Sequence, residues 1–150
     1  MSANSKVQME RVIPAPRAEV FRAWTDPEIL KRWFGPGEFT IPSATFDLRP
    51  GGTYEIEMQP PGDGDSMTLI GIFHAIEPPR RLEFTWSWSR VWSEAPDSLV
   101  VVDFEEAGEE TRVLITQGDF DNDEMAAPYA MGWEGGLEKL ASEFAKEESR

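Results

Sequence analysis

Apolar and polar residues recur at two different periods along this chain, and the changes of period lay out its elements. Val7 to Ile13 alternates as a strand and stops at Pro14. Pro16 suits the first turn of a helix whose apolar side is Val20, Phe21 and Trp24. Asp26 can cap a second short helix with Pro27 at its first position, which Gly35-Pro36-Gly37 ends. Strands follow near 38–48 and over Thr53–Gln59, turned at Gly51-Gly52, and again near 67–77 after a glycine- and proline-rich loop. Tyr54, Ile56 and Met58 alternate with Glu55 and Glu57, so one face of that strand is wet. Beyond Pro78-Pro79, Leu82, Phe84, Trp86 and Trp88 alternate with Glu83, Thr85 and Ser87. A hairpin then pairs Leu99–Glu105 with Thr111–Gln117.

The strand at 67–77 gives no clean alternation. Its odd set is Met67, Leu69, Gly71, Phe73 and Ala75, and its even set is Ile70, Ile72, His74 and Ile76. Both are apolar, so pattern alone does not orient it. With the even set inward, Ile72 and His74 would reach the interior. From Pro128 to Glu147 the period becomes helical, with Tyr129, Trp133, Leu137, Leu140, Ala141 and Phe144 on one stripe. Gly132, Gly135 and Gly136 interrupt this helix, each at about 1 kcal/mol relative to Ala. Either another backbone packs closely there or the missing side chains leave room for something else.

Short strands in hairpin succession, two small helices after the first and a long helix last make an α+β chain with an antiparallel sheet. Residues 1–6 read as a tail and 7–147 as a single domain. The chain has 150 residues, 40% of them hydrophobic, with six Trp and nine Phe, ample for a core. A formal charge of −14 argues against non-specific association with nucleic acid or an anionic membrane surface. With no cysteine and one histidine, disulfides, thiol nucleophiles and zinc or iron sites are not expected, and no cofactor is implied. No apolar run approaches the ~20 residues of a membrane span and the N-terminus lacks a secretory apolar core, so a cytoplasmic location is expected.

Motifs that resemble catalytic or phosphate sites dissolve on inspection. Arg49-Pro50-Gly51-Gly52 joins strand to strand and reads as a tight turn. Asp119, Asp121, Asp123 and Glu124 lack EF-hand spacing and suit a helix cap, and Asp63 and Asp65 suit a solvated loop. No nucleophile elbow is present, and no catalytic residue is assigned. The aromatic constellation carries more. Tyr54, Met58, Phe84, Trp86 and Trp88 share a face, Phe46 precedes them, and Trp33 and Trp133 join from helices. A plain core is the competing reading for any one of them. Taken with the helix glycines, the set reads as the lining of an apolar cavity, with Tyr54, His74, Arg49 and Gln117 as polar rim groups and Trp92 in a candidate lid.

Several runs carry a family resemblance. Val12-Ile13-Pro14-Ala15-Pro16, Val20-Phe21-Arg22-Ala23-Trp24-Thr25-Asp26-Pro27 and Leu30-Lys31-Arg32-Trp33-Phe34-Gly35 resemble the N-terminal signature of the SRPBCC (START/Bet v 1-like) superfamily. Phe46-Asp47-Leu48-Arg49-Pro50-Gly51-Gly52, Pro78-Pro79-Arg80-Arg81-Leu82-Glu83-Phe84-Thr85-Trp86 and Gly132-Trp133-Glu134-Gly135-Gly136-Leu137 are similar to the branch related to the C-terminal domain of the Hsp90 ATPase activator, Aha1. The resemblance implies a helix-grip fold, in which a curved antiparallel sheet of about six to seven strands wraps a long C-terminal helix over a hydrophobic cavity. It implies binding of a small hydrophobic or aromatic molecule. Trp33, Phe46, Tyr54, Met58, Ile72, His74, Phe84, Trp86, Trp133, Gly136 and Leu137 are the candidate site residues. A cyclase- or dehydratase-like enzyme using His74 or Tyr54 is the second expectation, and an Aha1-type interaction module the third. Aha1 carries a separate chaperone-binding domain that these residues do not accommodate, so a chaperone partner is not the favoured one. A homodimer is compatible with the sequence.

Overall fold

The computed structural model describes residues 5–35, 38–62, 64–89, 98–120 and 123–148, without the side chains of 5, 88, 89, 119, 120, 123, 125 and 146–148. Strand β1 (Ser5–Ile13) leads into helices α1 (Arg17–Thr25) and α2 (Pro27–Leu30). Six strands follow: β2 (Thr40–Phe46), β3 (Thr53–Gln59), β4 (Met67–Glu77), β5 (Arg81–Ser89), β6 (Ser98–Ala107) and β7 (Glu110–Phe120). Helix α3 (Asp123–Glu148) closes the chain. All strand pairs are antiparallel and form one seven-stranded sheet in the order β1-β7-β6-β5-β4-β3-β2. The α+β, helix-grip architecture expected from the sequence is the one observed.

Local chemistry explains the connections. Asp26 Oδ1 accepts from the Glu28 amide at 2.9 Å and Pro27 opens α2, as the sequence predicts. The Trp33 indole donates to the Ala23 carbonyl at 3.0 Å and ties the end of α2 back to α1. At one edge of the sheet, Pro42 within β2 removes a backbone donor, which suits an edge strand. At the other, α3 packs over β1 and β7, and Arg11 reaches Glu138 at 2.8 Å.

Two boundaries differ from the sequence reading. Helix α3 begins at Asp123, five residues before Pro128, so that proline sits inside the helix and not at its start. Strand β4 turns its odd set inward: Leu69 and Phe73 are buried, and Ile70, Ile72 and His74 face out. The pairing of β4 with β5 slips by one residue between Phe73 and Ala75, which brings Ile76 back to the core opposite Leu82. The even set looked apolar for two reasons: the bulge returns Ile76 to the core, and Ile70 and Ile72 are apolar residues exposed on the outer face.

Within β4, Gly71 marks a close approach. A Cβ built there would lie 2.1 Å from the Thr85 carbonyl oxygen and 2.5 Å from the Tyr54 ring. Tyr54 pairs opposite Gly71, and its hydroxyl donates to that same carbonyl. The Ile72 amide turns to Thr85 Oγ1 at 2.9 Å instead. The ladder between β4 and β5 is thus bridged by a tyrosine whose ring lies against a glycine.

Candidate functional site

The concave face of the sheet, α1, α2 and α3 enclose two groups of aromatic rings. In the first, Trp133 stacks on Trp24 with centroids 5.4 Å apart and planes 26° apart. Trp86 meets Trp133 at 5.6 Å and Phe34 meets it at 6.0 Å, both edge to face. Trp24 also contacts Trp33 at 4.7 Å and Phe104 at 5.9 Å. In the second, Tyr54 contacts Phe46, Phe73 and Phe84 with centroids 5.5–6.3 Å apart. These edge-on and tilted geometries are those the ring quadrupoles favour.

Between the two groups lies a cavity of ≈ 20 Å³, lined among others by Trp24, Phe34, Phe46, Tyr54, Phe73 and Phe84. That is room for about one water, whereas ligand pockets run to ~300–1,000 Å³.

Polar chemistry inside is sparse and specific. Gln117 on β7 is fully buried; it accepts from the Trp133 indole at 2.7 Å and donates to Ser98 Oγ at 2.8 Å. An indole N–H can only donate, so Trp133 fixes the amide oxygen toward the helix. The Trp24 Nε1 is buried with no hydrogen-bond partner among the described residues. Burial pushes the Tyr54 phenol well above its ordinary value of 10.0. It is therefore a neutral donor committed to the Thr85 carbonyl.

The expected site residues divide accordingly. Phe46, Tyr54 and Phe84 line the cavity. Trp33, Met58, Trp86, Trp133 and Leu137 are buried in the surrounding core. Gly136 sits under the turn after α2, where an added Cβ would come 3.8 Å from the Trp33 carbonyl oxygen. That is ordinary van der Waals contact, so a methyl fits there and only a longer side chain would press on the turn. Ile72, 44% exposed, and His74 are on the outer face and leave the site, because the odd residues of β4 point inward up to the bulge. Arg49 pairs with Asp47 at 2.9 Å on the exposed β2–β3 turn, away from the rim role expected of it. The side chains of Trp88, Asp119 and Asp123, and residues Asp63, Trp92 and Asp121, lie outside the described residues.

Trp24, Phe34 and Phe73 are the aromatic lining residues missed as site candidates, along with the aliphatic Leu30, Ile56, Leu69 and Leu82. For Phe73, the pairing of Met58 with Met67 across the β3–β4 loop is the signal, since Met58 faces in and sets the odd residues inward with it.

A family profile described as Activator of Hsp90 ATPase homolog 1-like protein matches residues 14–145. The chain belongs to this family. Among solved structures, it is similar to the AHSA1 protein of Silicibacter pomeroyi, with 27% identity over 95% of this chain and 99% of that one and a TM-score of 0.83. CalU16 of Micromonospora echinospora shows 28% identity over 91% of this chain and 74% of that one, with a TM-score of 0.71. A Nitrosomonas europaea protein, 24% identical over the whole of both chains with a TM-score of 0.81, shares the fold. A search of curated proteins gave no match. Membership supports a ligand-binding fold in general. Among the described residues no helix is long and apolar enough to cross a membrane.

Proposed function

We propose that the protein binds a small hydrophobic or aromatic molecule between the sheet and α3, at the meeting of the two aromatic groups. A cytoplasmic location is part of the same proposal. The observation that carries it is the small apolar cavity walled by aromatic rings, among them Trp24, whose buried Nε1 has no partner among the described residues. A buried donor left bare costs about 1–3 kcal/mol, and a bound molecule with an acceptor would recover it. Because the present cavity is ≈ 20 Å³, binding requires side chains to move aside. Affinity then comes from apolar burial at ~25 cal/mol per Å² and from ring stacking.

Acid–base catalysis by the two groups the sequence offered has lost its support. His74 faces outward, and the Tyr54 hydroxyl is held neutral on a backbone carbonyl.

The test is calorimetric titration with polycyclic aromatic probes, comparing the wild type with Phe84→Ala and with far-UV circular dichroism as the folding control. Saturable one-to-one binding that tightens when Phe84 is truncated supports the site. Binding indifferent to a folded Phe84→Ala protein places the ligand elsewhere and sinks the reading.

A further inference from the structure

Trp133 occupies a setting that would suit a ligand. One face stacks on Trp24, Phe34 and Trp86 meet it edge to face, and its N–H is received by a fully buried amide oxygen. Two of these residues, Trp24 and Phe34, also line the adjoining cavity. The helix is weakest at this point. Gly132 precedes Trp133, and Gly135 and Gly136 follow within a turn. An added Cβ at Gly136 would make only ordinary contact with the turn after α2, and one at Gly132 would meet nothing within 4 Å among the described residues.

Resting on the binding function proposed above, we propose that this is the ligand's seat: an aromatic molecule bearing an N–H or O–H donor displaces the Trp133 indole and takes over its hydrogen bond to Gln117 Oε1. The selectivity follows from the amide. Gln117 is 0% exposed, and its Nε2 is engaged by Ser98. If Trp133 leaves for a molecule without a donor, the amide oxygen stays buried and unpaired. A phenol or indole-type N–H restores the bond that was lost. Gln117 is thus a specificity-determining residue, and α3 opens where its glycines make opening least costly.

A naphthol and its methyl ether, matched in ring system and differing in the donor, are the probes. Calorimetry on the wild type should show the naphthol binding about threefold to tenfold more tightly. In Gln117→Leu that preference should vanish while the ether binds at least as well as before. In isotope-labelled wild-type protein, the Trp133 indole N–H signal, assigned by its loss in Trp133→Phe, should shift on saturation with the naphthol. This last arm stands even where Gln117→Leu does not fold.

Equal affinities of the two probes for the wild type, or a Trp133 indole signal that stays put at saturation, would overturn the seat while leaving apolar binding intact. If neither probe binds the wild type or a folded Trp133→Phe protein, the seat and the binding function beneath it both fall.

Discussion

Tyr54, Gly71 and Thr85 form a single residue-scale unit, and its consequences are specific. A Cβ at Gly71 has no flexible neighbour to displace, because the atom 2.1 Å away is a backbone carbonyl oxygen. Gly71→Ala should therefore destabilise the protein by about 2 kcal/mol or more, read as a lower urea midpoint. A wild-type midpoint in the alanine variant would show that the sheet does not close on itself there. Tyr54→Phe keeps the ring and deletes the donor, which leaves the Thr85 carbonyl bare and costs about 1–3 kcal/mol. The pH dependence has a definite sign. The folded phenol titrates above its ordinary value of 10.0, so above that pH the unfolded chain loses a proton the native state keeps. The stability Tyr54 contributes is fully present below pH 10 and is lost as pH rises beyond it. Urea titrations on either side of that pH should show a steeper alkaline loss in the wild type than in Tyr54→Phe. Parallel losses would mean that the phenol is not protected.

At the scale of elements, β3 and β5 were legible from sequence because each has one apolar and one polar face, and the structure places them accordingly. Strand β4 was not, since Ile70 and Ile72 are apolar on its exposed face and a one-residue slip against β5 returns Ile76 to the core. The start of α3 was misjudged for another reason. Pro128 suits a first turn by its missing N–H, yet the helix tolerates it internally and begins at Asp123. The helix glycines also separate at this scale, in a way no spacing rule reveals. Gly132 faces open space, so Gly132→Ala should raise stability by up to about 1 kcal/mol, seen as a higher thermal midpoint. Gly136 lies under the Trp33–Gly35 backbone, so Gly136→Leu should lower stability by about 1–3 kcal/mol. Equal responses at the two positions would contradict the distinction between an unpacked glycine and a packed one.

For the molecule as a whole, the sequence identifies many of the aromatic residues that are buried, passes over Trp24, Phe34 and Phe73 as lining, and does not reveal their mutual filling. Which ring occupies which gap depends on the placement of α3, on the turn after α2 and on the close approach of Tyr54 to Gly71, all of them products of tertiary packing. Net charge, by contrast, is a whole-molecule property that sequence does specify. The ion pairs on the surface are modest: Arg81 holds Glu83 and Asp103 at 2.9 Å, and Arg112 holds Glu10 at 3.2 Å, all on partly exposed side chains. Such pairs contribute about 0–1 kcal/mol each, and there are 28 acidic residues against 14 Lys and Arg. Most carboxylates therefore repel one another, and folding concentrates them. Raising sodium chloride from about 0.02 M to about 0.5 M shortens the screening length severalfold and weakens that long-range repulsion more than it weakens close contacts. The folded state should gain stability. Relief of about 1 kcal/mol would raise Tm by about 2–4 °C in a chain of this size. Thermal melts across the salt series at neutral pH measure it directly. A Tm that falls as salt rises would mean that the Arg81 and Arg112 networks outweigh the repulsion, and that the acidic surface is organised for cohesion and not merely carried as excess charge.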